Sequence, residues 1–154
     1  MARTSTQPRP ARLDDFLCFA IYSANLAFGR AYRPILDKLG LTYTQYVTLV
    51  ALSEGAEQTV GELGDKLFLE SNTLTPILKK LEGMGLVERR RDPADERQVR
   101  VNVTPAGRKL QRQVASSAVT LIEATGLGDD FATVQQTVAK LRDNLLLTPS
   151  TGAK

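Results

Sequence analysis

A mainly α-helical fold with a small β hairpin, organised as a winged helix-turn-helix with dimerisation helices at both ends, is predicted by three observations. Val60, Leu63, Leu67, Leu74, Ile77, Leu78 and Leu81 recur at helical spacing with a break over 68–72, the pattern of two short helices packed across a tight turn. Residues 86–91 and 98–103 flank the turn-forming stretch 92–97, so a strand, a turn and a strand follow directly. The segments on either side carry long apolar stripes that a domain this small has little interior to bury, so a second copy is expected to cover them.

In order along the chain, residues 1–12 and 148–154 are polar, proline-bearing ends expected to be poorly ordered. From 13 to about 39, Leu13, Phe16, Leu17, Ala20, Ile21, Ala24, Ala27, Phe28 and Ala31 share one broad helical face, with Asp14 and Asp15 in the first turn and Pro34 predicted to kink or end the helix near Arg33. Thr44 is a cap for a second helix through Leu52, which turns Tyr46, Val47, Leu49 and Val50 inward and closes at Gly55. Thr59 caps a third helix, and Ser71 or Asn72 a fourth that stops at Gly85. Thr104 followed by Pro105 opens a long helix to about Thr125, Gly126 to Gly128 break it, and Asp129 or Asp130 opens a last one carrying Phe131, Val134, Val138, Leu141, Leu145 and Leu146. The chain thus divides into a sensor and dimerisation helix at 13–43, a DNA-binding region at 44–107 and dimerisation helices at 108–147.

The chain has 154 residues, 42% of them hydrophobic and 24% charged, and a formal net charge of only +3. Its charge is uneven. Between Lys79 and Arg112 lie ten basic residues against five acidic ones, which concentrates positive charge where the hairpin is predicted. A solvated charged face is the ordinary reading of such a run; next to a helix-turn-helix pattern, double-stranded DNA is the better-fitting partner. On the fourth helix Ser71, Asn72, Thr73, Thr75, Pro76, Lys79 and Lys80 are expected to face outward, the short polar side chains toward base edges or phosphates and the lysines toward the backbone. In the wing, Arg97 is placed to enter a minor groove with Asp95 orienting its guanidinium, and Arg89, Arg90 and Arg91 are expected to be phosphate contacts or solvated.

Cys18 is the sole cysteine and there is no histidine, which removes an intramolecular disulfide, a cysteine–histidine metal site and any histidine-dependent catalysis; no cofactor is implied. A small buried hydrophobe is the default role for such a cysteine; a reactive one needs hydrogen-bond donors beside its sulfur. The four tyrosines, Tyr22, Tyr32, Tyr43 and Tyr46, are all confined to the early chain. Tyr22 is one helical turn beyond Cys18, whereas Tyr32 lies about 21 Å along a helix from it, so Cys18 and Tyr32 can meet only across antiparallel helices or in a dimer. No apolar run spans a bilayer and the first residues lack a signal-peptide core, from which a cytoplasmic protein without a membrane partner is expected.

Leu81-Glu-Gly-Met-Gly-Leu-Val-Glu-Arg, Asp92-Pro-Ala-Asp-Glu-Arg-Gln and Val103-Thr-Pro-Ala-Gly107 resemble the MarR family of dimeric winged-helix regulators. Cys18-Phe-Ala-Ile-Tyr22, Tyr32, Leu41-Thr-Tyr-Thr-Gln-Tyr46 and Leu69-Glu-Ser-Asn-Thr-Leu-Thr-Pro-Ile-Leu-Lys-Lys-Leu81 are similar to the organic hydroperoxide resistance regulators within it, over roughly residues 13–147. That resemblance implies a homodimeric repressor on a pseudopalindromic operator, released when an organic hydroperoxide oxidises Cys18. It implies further that Tyr32 and Tyr43 of the other subunit hydrogen-bond the Cys18 thiolate, with Tyr22 joining the network. Some members carry a second, resolving cysteine, but the corresponding stretch Leu121-Ile-Glu-Ala-Thr125 has none, as in the one-cysteine class, where the sulfenate forms a mixed disulfide with a small thiol or proceeds to sulfinic acid. Two other readings are a MarR-type repressor released by a small aromatic or phenolic ligand in an apolar crevice and, from a different class, a thiol peroxidase using Cys18; the missing resolving cysteine and the arginine-rich hairpin weigh against the peroxidase.

Overall fold

The computed structural model describes residues 12–147, so the expected N-terminal arm, apart from Arg12, and the C-terminal tail lie outside the described residues. Six α-helices and a three-stranded sheet follow in the order α1 (Leu17–Asp37), α2 (Tyr43–Ser53), β1 (Gln58–Thr59), α3 (Val60–Leu67), α4 (Ser71–Gly83), β2 (Val87–Arg91), β3 (Val99–Val103), α5 (Pro105–Ala124) and α6 (Phe131–Leu147). The mainly helical winged helix-turn-helix expected from the periodicity is the fold observed.

Local chemistry sets the helix starts. Thr59 closes a reciprocal box at α3, its hydroxyl accepting from the Glu62 amide at 3.1 Å while Glu62 Oε2 accepts from the Thr59 amide at 2.7 Å. Thr104 accepts from the Gly107 amide at 3.1 Å and Pro105 occupies the first position of α5, where its missing N–H costs nothing. At α2 the cap is Thr42 rather than Thr44: Gln45 stands three residues after Thr42 and completes a second box, with the Thr42 amide donating to Gln45 Oε1 at 2.9 Å. At α4 the cap is Glu70, without a side-chain bond, and Ser71 is already helical.

The N-terminal segment also departs from expectation. Leu13–Asp15 form a separate 3-10 turn and Phe16 is extended, so Asp14 and Asp15 precede α1 rather than opening it. Pro34 neither ends α1 at Arg33 nor stops it short; the helix runs on to Asp37. The ring removes the bond to the Arg30 carbonyl, but both residues are exposed in the last turns, where water can satisfy that oxygen.

The core sits between α2, α3, α4, α5 and the sheet, where Leu49, Leu52, Leu63, Leu74, Leu78, Leu81, Val101 and Val114 are all but fully enclosed. Burying each leucine contributes about 1.5–3 kcal/mol. Three of the leucines on α4, Leu74, Leu78 and Leu81, point inward and thereby turn Ser71, Asn72, Thr73, Pro76, Lys79 and Lys80 to solvent. The sheet has order β1-β3-β2, with Val87 opposite Val103 and Arg91 opposite Val99 in the hairpin. Strand β1 adds Gln58 and Thr59 against Val101 and Arg100, an edge too short to leave a periodic signature in the sequence.

Two backbone positions fix the angle between helices and wing. A Cβ on Gly107 would stand 2.2 Å from the Leu86 carbonyl oxygen, so α5 leaves the hairpin in contact with its root only because this residue is glycine. Phe68, between α3 and α4, adopts φ 57 and ψ 38 and is the one non-glycine with positive φ among the described residues. A left-handed conformation costs an L-residue about 1–2 kcal/mol.

Candidate nucleic-acid interface and thiol site

The exposed face of α4 and the wing lie side by side in the chain but differ in how free their charges are. Lys79 and Lys80 are exposed and enter no ion pair among the described residues. Thr75 is half-buried and returns its hydroxyl to the Ser71 carbonyl at 2.7 Å, and the Thr73 hydroxyl meets Asn72 Oδ1 at 3.4 Å. The wing arginines are mostly committed to their own chain. Arg89 Nε donates to Glu82 at 2.9 Å, tying β2 to α4. Arg90 makes a two-pronged pair with Glu57, both bonds 2.6 Å, and Arg100 Nε donates to buried Asp92 at 2.5 Å. Arg91 donates to the Glu96 carbonyl at 3.0 Å.

Arg97 is paired within the chain as well, Asp95 Oδ1 accepting both its amide and its Nε at 3.1 and 3.0 Å, but differs in exposure: its side chain is 91% exposed at the hairpin tip. The Arg97 side chain first, then its amide and Gln98, hold the Asp95 carboxyl below the ordinary carboxylate range. Asp92 is lowered too, chiefly by the Ala94 amide at 2.8 Å and then by Arg100. These bonds brace the turn, and the Arg97 guanidinium, paired with Asp95 alone among the described residues, projects from its tip. The internal partners Glu57 and Glu82 were not legible as partners in the sequence, since they sit on other elements.

The thiol site is divided. Cys18 is exposed, at the second position of α1, and Tyr22 one turn on is also exposed, its ring 6.3 Å from that of Phe19. Helix α1 is unbroken between Cys18 and Tyr32, so the separation of about 21 Å along its axis stands. At the far end Tyr32 packs on Tyr43 with ring centroids 5.2 Å apart, and on Tyr46 at 5.9 Å. Tyr46, one of the four tyrosines and buried as an inward-facing residue of α2, belongs to this cluster as well, although the expected thiol site names only Tyr22, Tyr32 and Tyr43; its spacing of three from Tyr43 is the signal for it. Burial, reinforced by Tyr43, raises the Tyr32 phenol above its ordinary value, and burial followed by Tyr32 and Tyr43 raises Tyr46. Both phenols therefore keep their protons at neutral pH and can serve as hydrogen-bond donors.

Along one flank, α1, α5 and α6 enclose an open apolar groove of about 570 Å³ lined by Ile21, Phe28, Leu121, Val134 and Val138 among others. Helix α6 buries no residue of its own, and Leu145, Leu146 and Leu147 are all exposed. No group of three or more cysteine and acidic side chains able to hold a metal ion occurs among the described residues, and no described helix is long and apolar enough to cross a membrane.

Residues 30–114 match the family described as transcriptional regulator SarA/Rot. The chain is 45% identical over 137 residues to the HTH-type transcriptional regulator TtmR of Methylorubrum extorquens (strain PA1), covering 88% of this chain and 70% of that protein. It is 35% identical over 135 residues to the organic hydroperoxide resistance transcriptional regulator of Bacillus subtilis (strain 168), covering 87% and 92% respectively. Among solved structures, reduced AbfR bound to DNA is similar at a TM-score of 0.74 with 34% identity, over 88% of this chain and 95% of that one. These relatives are regulators of transcription rather than enzymes. The chain therefore belongs to the MarR/SarA-type family of winged-helix transcriptional regulators, and is similar within it to the organic hydroperoxide resistance regulator.

Proposed function

We propose that this regulator is a redox-sensing repressor that binds a pseudopalindromic, double-stranded operator as a homodimer and releases it when an organic hydroperoxide oxidises Cys18. The observation that carries the proposal is the divided thiol site: an exposed sulfur at one end of α1 and a cluster of phenols at the other. Two copies with antiparallel α1 helices bring each Cys18 to the partner's phenols, so that Tyr32 and Tyr43 donate to the thiolate and Tyr22 lies one turn away. The apolar groove between α1, α5 and α6 is the surface that such pairing covers. Operator DNA enters by the similarity to a regulator solved on DNA, and the oxidant by the similarity to a hydroperoxide resistance regulator.

In the sensing step the Cys18 thiolate attacks the terminal, hydrogen-bearing peroxide oxygen; the S–O bond forms, the O–O bond breaks, and the other oxygen leaves as an alkoxide that takes a proton from solvent to become the alcohol. Sulfur is oxidised by two electrons and the peroxide reduced by two, leaving a sulfenic acid. With Cys18 as sole cysteine, this acid is captured by a small thiol as a mixed disulfide or oxidised to sulfinic acid. Either product is larger than the thiolate and rearranges the phenol bonds at the dimer interface. The α4 helices, each seated by Ser71, Asn72 and Thr73 in one of two half-sites about one DNA turn apart, then no longer fit together. Passing from mostly bound to mostly free requires about 10⁴-fold differential affinity, about 5.5 kcal/mol, the scale of losing one half-site.

The test pairs intact mass with a gel shift on a duplex selected by the wild-type protein from random DNA. One equivalent of cumene hydroperoxide should add one oxygen or one small thiol per chain and release the duplex. A Cys18→Ser protein that is still released by peroxide would exclude the sensor assignment. Release of the reduced protein by phenolic compounds without oxidant would instead favour a ligand-responsive repressor.

A further inference from the structure

We infer that Arg142 of α6 is a positioning residue for DNA binding: through a cation–π contact with Phe68 it clamps the turn of the helix-turn-helix to the C-terminal dimerisation helix. The inference rests on the DNA-binding reading above. The Arg142 guanidinium carbon lies 4.5 Å from the centroid of the Phe68 ring, within the range of cation–π attraction. Asp143 orients that guanidinium, accepting from Arg142 Nε at 2.8 Å and pairing with its terminal nitrogen at 2.7 Å.

Phe68 is otherwise hard to account for. It occupies a left-handed position that glycine or asparagine fills at lower cost, and the residue is 54% exposed rather than packed in the core. A ring retained there against both strain and solvent has α6 as its partner. The turn it belongs to is rigid: the Leu69 amide donates to the Gly64 carbonyl at 2.9 Å, and the Leu69 carbonyl approaches so closely that a Cβ on Gly64 would meet it at 2.7 Å. Phe68, α3 and the start of α4 at Ser71 therefore move as one piece. Holding Phe68 holds the exposed face of α4 at a set distance from the dimer axis, which is what simultaneous entry into two half-sites requires. The contact is long-range in sequence and joins the part of the chain that pairs to the part that reads.

The test measures affinity for the selected duplex by fluorescence anisotropy, with thermal melting and amide hydrogen exchange in parallel. Losing the clamp costs about threefold per subunit and about tenfold per dimer. Arg142→Ala should weaken binding about tenfold, leave dimerisation unchanged and speed exchange over 68–72, while Arg142→Lys, which keeps the cation, should recover part of the loss. Phe68→Ala removes the ring and keeps the strain; Phe68→Gly removes both and should melt higher than Phe68→Ala. Equal losses of affinity in these two proteins, with no further loss when either is combined with Arg142→Ala, support the clamp. Affinity that follows melting temperature, or an Arg142→Ala protein that binds as wild type, overturns it. A wild-type chain that selects no duplex defeats the DNA-binding reading itself, and the clamp's role with it.

Discussion

At the scale of single residues, the proposed sensor divides its labour between one sulfur and a few phenols. Tyr32→Phe or Tyr43→Phe removes a donor while keeping the ring stack, so thiol-labelling rates should show slower Cys18 oxidation with operator affinity nearly unchanged; unaltered rates would remove that tyrosine from the sensor. Arg97→Ala should weaken DNA binding and lessen its salt dependence by about one counterion per subunit, because Arg97 is the wing arginine whose side chain projects almost fully into solvent. By contrast Arg89 and Arg90 are held by Glu82 and Glu57, and the arginine run read from sequence as a positive footprint is largely neutralised within the fold. The charge count could not reveal this, since an ion pair depends on which elements meet in space. The spacing of Cys18 from Tyr32 could be read in advance because a helix converts sequence separation into length.

Among the elements, the wing depends on Gly107 and Asp92. Gly107→Ala forces α5 off the Leu86 carbonyl and should lower stability by about 1–3 kcal/mol in denaturant melts. Asp92 has its carboxyl lowered, so the stability it contributes is complete above its ordinary value of 3.8 and is lost as pH falls through the lowered folded value. Acidification should therefore expose the amides of 87–103 to exchange, and Asp92→Asn should flatten that acid dependence; an identical acid response in both proteins would remove Asp92 from the cause. The elements most easily read were those specified locally. Leu63, Leu74, Leu78 and Leu81 repeat at helical spacing because they face one core, and Thr104-Pro105 specifies a helix start by itself. The Thr42 cap was also encoded, in its spacing from Gln45, but Thr44 offers a competing hydroxyl two residues on. Strand β1 exists because β3 offers it a partner, and Phe68 is left-handed because of the turn around it; neither cause is local.

For the molecule as a whole, the groove of α1, α5 and α6 predicts that assembly and folding are linked. Val138→Asp places a charge within it and should raise the dimer dissociation constant by at least about 100-fold in sedimentation experiments; an unshifted constant would mean that the two copies meet elsewhere. Melting temperature should climb with protein concentration. Because α6 hides none of its side chains in a lone subunit, an unpaired copy should be cut by protease faster than a paired one, which limited proteolysis across a dilution series checks. If pairing is what shields that helix, the amount of regulator that survives in a cell should rise more steeply than its rate of synthesis.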